Sequence, residues 1–288
     1  MVGTVAAVHT VRQGLTCGSI SRSQGGCSIP PMAGYGRPQY GRTGLIDCLA
    51  KTGSFALSPL PSRVLPTADA AAENAAEAVA EAVRKAVAER GECVVALTGG
   101  NTPTTAYQLL ATYDLPWASV HFVQTDDRVL PEAETGSNWR MICETLLDPA
   151  AVPQDRRHPM PVRSGDPADG AAQYAKLLAS LTGTAGADAV LLQLGPDGHL
   201  ASLFADRYDP QDQAGVTVTT TVDGAVRMTQ TLPSLRGAAT RIIMATGAQK
   251  TEAVAKLATG TADTLAARAF LGSDGLLLLD AEAAGTYR

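Results

Sequence analysis

A histidine stands directly after a short apolar run in the second half of the chain. Residues 189–194 (AVLLQL) are followed by GPDGH, which ends at His199. The two glycines and the proline favour a turn, so the pattern predicts a buried strand that stops just before Asp197 and His199. Imidazole exchanges a proton near neutral pH, which makes His199 a candidate general base. The alternative is a surface turn whose polar residues face only water.

The other three histidines have less suggestive surroundings. His9 lies in a Gly- and Ser-rich stretch, His121 lies in a predicted strand, and His158 lies in a predicted loop between arginines and prolines. Only His199 combines a predicted strand end with a glycine motif. It is therefore the preferred candidate for the reactive imidazole.

A glycine-rich turn joins another predicted strand to a predicted helix. In residues 98–103 (TGGNTP), Gly99 and Gly100 allow close approach of the backbone, and Asn101 and Thr102 add polar side chains. A helix that starts here directs free N–H groups and its positive dipole end toward an anion. The turn matches neither the ATPase phosphate motif nor the dinucleotide motif, so neither ATP nor NAD is indicated. The alternative is a turn whose glycines serve backbone geometry alone.

Charged residues also occur near the ends of predicted elements. Asp126, Asp127 and Arg128 follow a predicted strand, Arg227 lies further along the chain, and Lys250 lies at the start of a predicted helix. Taken singly, each is typical of a solvated surface charge. Two cations beside a glycine-rich helix start would together form a phosphate clamp.

Alternating strands and helices must position these motifs. Strands are predicted at residues 92–97, 119–124, 187–194, 241–247 and 275–280, and helices at residues 67–91, 103–111, 138–147, 169–181 and 248–258. Such alternation indicates βαβ units with right-handed crossovers. The expected fold is α/β, with a doubly wound, mostly parallel sheet flanked by helices, Rossmann-like, in a single domain over residues 56–288.

Residues 1–55 differ from the rest in composition. They are rich in Gly, Ser and Pro, carry several arginines, and contain no acidic residue before Asp47. Without a periodic apolar face, this low-complexity stretch is predicted to be a disordered N-terminal extension. Two alternatives stay open, namely a targeting segment and an over-extended start. The expected location is the cytoplasm, with organellar targeting by the extension as the alternative.

Charge and hydropathy restrict the partners. The chain has a net charge of −5 and no basic cluster, which argues against nucleic acid as the main partner. No apolar run approaches the ~18 residues of a membrane span, so no membrane partner is expected. We expect a monomer or a small homo-oligomer that binds a small molecule.

Five motifs in order give the chain a specific resemblance. They are ALTGGNTP, VHFVQTDDRVLP with SNW, LLQLGPDGHLASLF, RMTQTLPSL and IIMATGAQKTEAV. In this order they resemble the 6-phosphogluconolactonase family, over about residues 55–288. The resemblance implies hydrolysis of 6-phospho-D-glucono-1,5-lactone to 6-phospho-D-gluconate in the oxidative pentose phosphate pathway, with no metal and no cofactor. The family pattern usually has glycine where Gln193 stands and glutamate where Asp127 stands.

The resemblance also implies roles for single residues. His199 would remove a proton from water as the water attacks the lactone carbonyl. Asp197 or Asp126 would orient the imidazole or the sugar hydroxyls, and Arg128 would hold substrate or stabilise the oxyanion. The implied substrate-binding residues are Gly99, Gly100, Asn101, Thr102, Asn138, Arg227 and Lys250.

Two other functions remain as alternatives. A deaminase-isomerase acting on glucosamine 6-phosphate belongs to the same wider fold group, but its usual NGHIA string is absent here. A non-catalytic sugar-phosphate sensor is an alternative of a different class. Such a sensor should carry a helix-turn-helix, which the Gly- and Pro-rich extension does not offer.

Overall fold

The apolar runs of the sequence form a layered α/β fold. The computed structural model of the protein describes residues 60–130, 136–163, 165–183 and 185–285, so the predicted extension at residues 1–55 lies outside the described residues. The described strands are β1 (Ser62–Leu65), β2 (Cys93–Leu97), β3 (Val120–Gln124), β4 (Asp126–Arg128), β5 (Arg157–His158), β6 (Ala189–Gln193), β7 (Val216–Thr220), β8 (Val226–Gln230), β9 (Thr240–Ala245) and β10 (Leu276–Asp280). The described α-helices are α1 (Ala68–Arg90), α2 (Thr104–Ala111), α3 (Asn138–Ile142), α4 (Pro167–Thr182), α5 (Leu232–Arg236), α6 (Thr251–Thr259), α7 (Leu265–Leu271) and α8 (Ala281–Ala284).

Seven strands form one sheet in the order β1-β10-β9-β6-β2-β3-β5. Every neighbouring pair in this sheet runs parallel. From β2 the chain adds β3 and β5 on one side, then returns to add β6, β9 and β10 on the other. Open α/β sheets bind ligands at the carboxyl ends of the strands where such a reversal occurs. The predicted doubly wound, mostly parallel sheet is confirmed, and its reversal lies between β2 and β6.

Helices cover both faces of this sheet. In β2, Val95 and Leu97 pack into a core that includes α1, α2 and α3, whereas Val94 and Ala96 pack into a second core on the opposite face. This alternation follows from the two-residue repeat of a strand. The second core contains residues of α4, α5, α6, α7 and α8. Burial on both faces explains why the strands appear in the sequence as continuous apolar runs.

Helix α1 begins and ends where its sequence signals predict. The Thr67 hydroxyl accepts a hydrogen bond from the Ala70 N–H at 3.2 Å, and Gly91 ends the helix in the left-handed conformation with φ of 82°. Alanines and valines fill the buried face, and their small volume lets the helix lie close to the sheet. Neither this helix nor any other in the described ranges is long and apolar enough to cross a membrane.

A second sheet departs from the sequence-based expectation. Strands β4, β8 and β7 pair in an antiparallel sheet of three strands. Asp126–Arg128, for which the sequence predicts no strand, form β4, and the expectation of a loop at His158 is wrong because this residue lies in β5. Both strands are too short and polar to give a periodic signal, and they form through pairing with β8 and β3. The pattern also omits three further strands, β1, β7 and β8, and three helices, α5, α7 and α8.

Candidate functional site

The sequence-predicted site residues gather at one edge of the parallel sheet. Strands β3, β2, β6 and β9 are paired in a register that brings their carboxyl ends side by side. We refer to residues 98–102, which follow β2, as the glycine turn and to residues 195–204, which follow β6, as the histidine loop. Strand β4 and Lys250 follow β3 and β9 at the same edge. The candidate site is therefore built from four segments that the topology brings together.

His199 and Asp197 form a hydrogen-bonded pair in the histidine loop. The His199 Nδ1 and Asp197 Oδ1 atoms are 2.5 Å apart, and the His199 backbone N–H also donates to Oδ1 at 3.3 Å. This hydrogen bond lowers the pKa of the Asp197 carboxyl to about 2, so the carboxylate is ionised across the physiological range. With Nδ1 occupied, Nε2 makes no hydrogen bond within the described residues. An imidazole held in this way can exchange a proton through Nε2.

Close contacts restrict the rotation of the imidazole. The Gly195 N–H donates to the His199 carbonyl at 2.9 Å, and a Cβ atom at Gly195 would lie 2.3 Å from His199 Nδ1. On another side the ring centroids of His199 and Phe204 are 4.8 Å apart. The His199 side chain is 27% exposed, so one part of it remains accessible to a ligand. A glycine is required at position 195 because any side chain would displace the imidazole.

Asp126 lies deeper than Asp197 and makes different contacts. Its carboxylate accepts hydrogen bonds from Ser202 Oγ at 2.8 Å, Thr125 Oγ1 at 3.0 Å and Thr98 Oγ1 at 3.4 Å. Burial raises the pKa of Asp126 above its usual value, and the hydrogen bonds from Ser202 and Thr125 act against this shift. Of the two aspartates considered as partners of the imidazole, Asp197 is the one hydrogen-bonded to His199. Asp126 instead joins the glycine turn to the histidine loop.

Asp127 organises the start of α3 and thereby places Asn138. The fully buried Asp127 carboxylate accepts hydrogen bonds from Ser137 Oγ at 2.7 Å and from the Asn138 N–H at 2.9 Å. The Asn138 side chain donates to the Asp126 carbonyl at 3.0 Å. A Cβ atom at Gly99 would lie 2.0 Å from Asn138 Cγ, so the asparagine packs directly against the glycine turn. Asn138 therefore lies between Asp127, which accepts from its N–H, and the glycine turn.

The glycine turn presents a row of free donors. The backbone N–H groups of residues 99–102 donate no hydrogen bond within the described part of the chain. The carbonyls between them are held, since the Thr98 carbonyl accepts from the Tyr107 hydroxyl at 2.8 Å and the Gly100 carbonyl accepts from Thr104 Oγ1 at 3.3 Å. Consecutive free N–H groups before a helix form a favourable anion site.

Arg128 and Arg227 lie opposite each other on β4 and β8. Arg128 is exposed and donates to the Gly136 carbonyl at 2.8 Å. The Arg227 Nε atom is buried and has no hydrogen-bond partner in the described residues. Burial lowers the pKa of the Arg227 guanidinium, and the positive charge of Arg128 adds to this effect. An anion between the two guanidinium groups would offset their repulsion and provide an acceptor for Arg227.

Lys250 lies next to the histidine loop. Its side chain is buried, and Nζ donates to the Leu194 carbonyl at 2.6 Å. Burial lowers the pKa of the Lys250 ammonium group, and the negative charge of Asp197 opposes this shift. The ammonium group has two further N–H donors available for a ligand.

Two polar residues of the site, Ser202 and Gln193, are given no role by the sequence motifs alone. Ser202 lies three residues after His199, but its partner Asp126 is 76 positions away, so no local pattern indicates the contact. Gln193 ends β6, and its Nε2 donates to the Gly99 carbonyl at 2.8 Å. A polar residue at the end of an apolar strand is the one signal that singles out Gln193. The serine offers no such signal.

Comparison with known proteins gives the family to which the chain belongs. Residues 66–277 match the family model described as "Glucosamine-6-phosphate isomerases/6-phosphogluconolactonase". A 6-phosphogluconolactonase from Synechocystis sp. is 35% identical over 184 residues, which cover 62% of this chain and 76% of the relative. A 6-phosphogluconolactonase from Nostoc sp. is 33% identical over 205 residues, which cover 68% of this chain and 85% of the relative.

The fold is similar to that of solved structures as well. The structure of 6-phosphogluconolactonase from Trypanosoma brucei superimposes with a TM-score of 0.67 and 27% sequence identity. The superposition covers 81% of this chain and 100% of that chain. The family match extends over most of the chain and includes the glycine turn, both arginines and the histidine loop. The chain belongs to the glucosamine-6-phosphate isomerase and 6-phosphogluconolactonase family.

Proposed function

We propose that this protein hydrolyses 6-phospho-D-glucono-1,5-lactone to 6-phospho-D-gluconate, a step of the oxidative pentose phosphate pathway. The observation that carries the proposal is the His199–Asp197 pair, which lies on the same sheet edge as the free N–H groups of the glycine turn. A base and an anion site on one edge suit a substrate with an ester at one end and a phosphate at the other. The relatives at 35% and 33% identity are lactonases, which favours this activity within the family.

The proposed reaction uses His199 as both base and acid. Nε2 removes a proton from a water molecule as the water oxygen attacks C1 of the lactone. The tetrahedral intermediate then collapses, the bond between C1 and the ring oxygen breaks, and the imidazolium returns the proton to that oxygen. The product is a carboxylic acid that ionises in water. Asp197 stabilises the imidazolium and holds the ring, while Arg128 contacts substrate or the oxyanion.

The phosphate is assigned to the glycine turn, Arg227 and Lys250. The N–H groups of Gly99, Gly100, Asn101 and Thr102 would donate to the phosphate oxygens, and Asn138 supports the turn from behind. Arg227 supplies a buried Nε donor that has no hydrogen-bond partner among the described residues, which supports its role as a phosphate ligand. Lys250 adds a second positive charge next to the histidine loop. Charge-assisted hydrogen bonds from these groups would provide most of the affinity for the phosphate.

A coupled assay with freshly prepared lactone tests this function. We expect 6-phosphogluconate, detected with its dehydrogenase, to appear faster than the spontaneous hydrolysis measured without protein. Ammonia release from glucosamine 6-phosphate, measured on the same preparation, separates the lactonase from the deaminase activity of the family. Absence of lactone hydrolysis above the spontaneous rate would contradict the proposal. Binding of 6-phosphogluconate without any turnover would favour the sensor alternative.

We further infer a cytoplasmic enzyme whose catalytic domain comprises residues 56–288, with residues 1–55 as an extension. The expected partner is the sugar-phosphate lactone, with no nucleic acid or membrane partner. The net charge of −5 without a basic cluster supports this expectation for nucleic acid. Light scattering after size-exclusion chromatography distinguishes a monomer from a small homo-oligomer. Import of a fluorescent fusion into an organelle would identify residues 1–55 as a targeting segment instead.

A further inference from the structure

Three consecutive carbonyl groups of the glycine turn are each held by a side chain. Tyr107 holds the Thr98 carbonyl and Thr104 holds the Gly100 carbonyl, and both side chains belong to α2, the helix that the turn precedes. The middle carbonyl, that of Gly99, accepts its hydrogen bond from Gln193 Nε2 at 2.8 Å. Of these three donors, Gln193 is the one that lies on a strand of the sheet, β6, and not on α2.

The hydrogen bond from Gln193 fixes the direction of an N–H group in the turn. No peptide bond in the described residues is cis. The Gly99 carbonyl and the Gly100 N–H therefore lie in the same peptide plane and point in opposite directions. Because Gln193 holds the carbonyl, the Gly100 N–H must point away from the Gln193 amide. This N–H has no acceptor within the described residues. The Gly100 N–H can therefore donate a hydrogen bond to a ligand.

The side chain of Gln193 fills the space that a side chain at position 100 would need. Gly100 has a φ of 96°, a conformation that favours glycine, and a Cβ atom there would lie 1.9 Å from Gln193 Nε2. The side chain of Asn138 occupies the space next to Gly99. Two side-chain amides therefore pack against Gly99 and Gly100, and that of Gln193 makes the hydrogen bond to the Gly99 carbonyl.

We propose that Gln193 is a positioning residue that sets the affinity of the glycine turn for the substrate phosphate. The inference rests on the proposed function, because the anion is taken to be the phosphate of a sugar phosphate. Gln193 also precedes Leu194, whose carbonyl accepts from Lys250 Nζ. Two adjacent residues at the end of β6 therefore orient both the turn and the lysine assigned to the phosphate. Neither Gln193 nor the turn contacts His199 through a hydrogen bond in the described residues.

Two substitutions of Gln193 test the proposal. Gln193→Leu removes the donor, and Gln193→Glu replaces it with a carboxylate that repels both the Gly99 carbonyl and the phosphate. Loss of one hydrogen bond corresponds to a change of about 2- to 12-fold in affinity. We expect KM for the lactone, and the inhibition constant for inorganic phosphate, to rise by this factor in Gln193→Leu and further in Gln193→Glu. The value of kcat should stay within about twofold because the hydrogen bonds of His199 do not involve Gln193.

A matched control and a second readout keep the two proposals separate. Gln213→Glu makes the same change at an exposed amide that donates to the Gln211 carbonyl, and KM should not change. A KM unaltered in both Gln193 variants, or a fall in kcat without a rise in KM, would overturn the role of Gln193. If the unaltered chain hydrolyses no lactone, calorimetric titration with inorganic phosphate still compares the variants. Weaker phosphate binding in them would then support the role of Gln193 while the lactonase proposal fails.

Discussion

At the scale of single residues, the chemistry depends on which side-chain atoms already make a hydrogen bond within the protein. In the described ranges, His199 has Nδ1 hydrogen-bonded to Asp197 and Nε2 without a hydrogen bond, whereas the Asp126 carboxylate accepts from three hydroxyl groups. The two aspartates are therefore not equivalent, although the sequence presents both at strand ends. The two arginines also differ, since Arg128 donates to the Gly136 carbonyl, whereas the buried Arg227 Nε has no hydrogen-bond partner in the part of the chain that the structure describes.

The role of His199 leads to a prediction about turnover. His199→Ala should lower kcat by ~10²–10⁴ with the fold intact, because an acid–base group is lost. Asp197→Asn should also lower kcat, since the amide does not stabilise an imidazolium. Steady-state rates, corrected for spontaneous hydrolysis, measure both effects, and circular dichroism reports the fold. Asp209→Asn changes an exposed carboxylate that caps a local turn and serves as the control. Near-normal turnover in well-folded His199→Ala would refute the assignment.

Arg227 leads to a prediction about ligand choice. A charge-assisted hydrogen bond contributes roughly 1.5–3 kcal/mol, which corresponds to about 10- to 150-fold in affinity. Arg227→Ala should therefore weaken binding of 6-phosphogluconate by such a factor and leave binding of gluconate nearly unchanged. Titration calorimetry with both ligands measures the difference, and Arg236→Ala, an exposed arginine in α5, is the control. Equal losses for the two ligands would show that Arg227 does not contact the phosphate.

At the scale of elements, the site depends on short loops joined by buried hydrogen bonds. Asp126 in β4 contacts Ser202 in the histidine loop and Thr98 in the glycine turn. The histidine loop also contains Ala201 with a φ of 51°, a conformation that non-glycine residues seldom adopt. Such a conformation persists only when its surroundings hold it. The hydrogen bond from Ser202 to Asp126 is one of the contacts that hold this loop.

Removal of the Ser202 hydroxyl tests this coupling. Ser202→Ala leaves the buried Asp126 carboxylate with one donor fewer, which should cost about 1–3 kcal/mol of the free energy of unfolding. It should also lower kcat, since the loop that carries His199 loses an anchor. Denaturant unfolding and steady-state kinetics measure the two effects. Ser180→Ala removes an exposed hydroxyl bound to the Leu177 carbonyl in α4, and should change neither quantity. Unaltered kcat in Ser202→Ala would show that the anchor does not influence the imidazole.

At the scale of the whole molecule, local signals and distant pairings contribute differently to what a sequence can reveal. The glycines, the histidine motif and the apolar strands are encoded within a few residues, so their positions at one sheet edge follow from the alternation of strands and helices. Strand β4 is different because Asp-Asp-Arg has no strand pattern, and it pairs with residues about a hundred positions later. The contacts of Ser202 and Gln193 are also distant in sequence, and they become visible only in three dimensions.

Two histidines near β5, the outermost strand on one side of the parallel sheet, should make the stability of the fold depend on pH. His121 Nδ1 and His158 Nε2 are 2.9 Å apart, and Arg156 contacts His121. Burial lowers the pKa of both histidines, and Arg156 adds to the effect while Glu92 and Asp155 oppose it for His121. The unfolded chain therefore binds protons more readily than the folded chain as pH falls below the usual histidine value of about 6.5. The free energy of unfolding should decrease over this range.

Thermal unfolding between pH 8 and pH 5 measures this decrease. His158→Gln retains a donor and an acceptor without a titrating group, so its melting temperature should depend less on pH in this range. At pH 8 the variant and the unaltered chain should melt at similar temperatures, since the histidines are neutral there. Parallel pH curves for the two chains would contradict the origin assigned to the acid response.

The reversal of the strand order at β2 determines how a bound ligand stabilises the fold. The glycine turn and β4 precede the point where the chain returns to β6, and the histidine loop, Arg227 and Lys250 follow it. In the proposed complex, one sugar phosphate contacts residues from both parts of the chain. Such a ligand binds only when both parts are folded against each other, so it raises the free energy of unfolding of the two parts as a unit. Saturation with 6-phosphogluconate should then slow amide hydrogen exchange in β3 and in β9 together, although these strands do not touch the ligand.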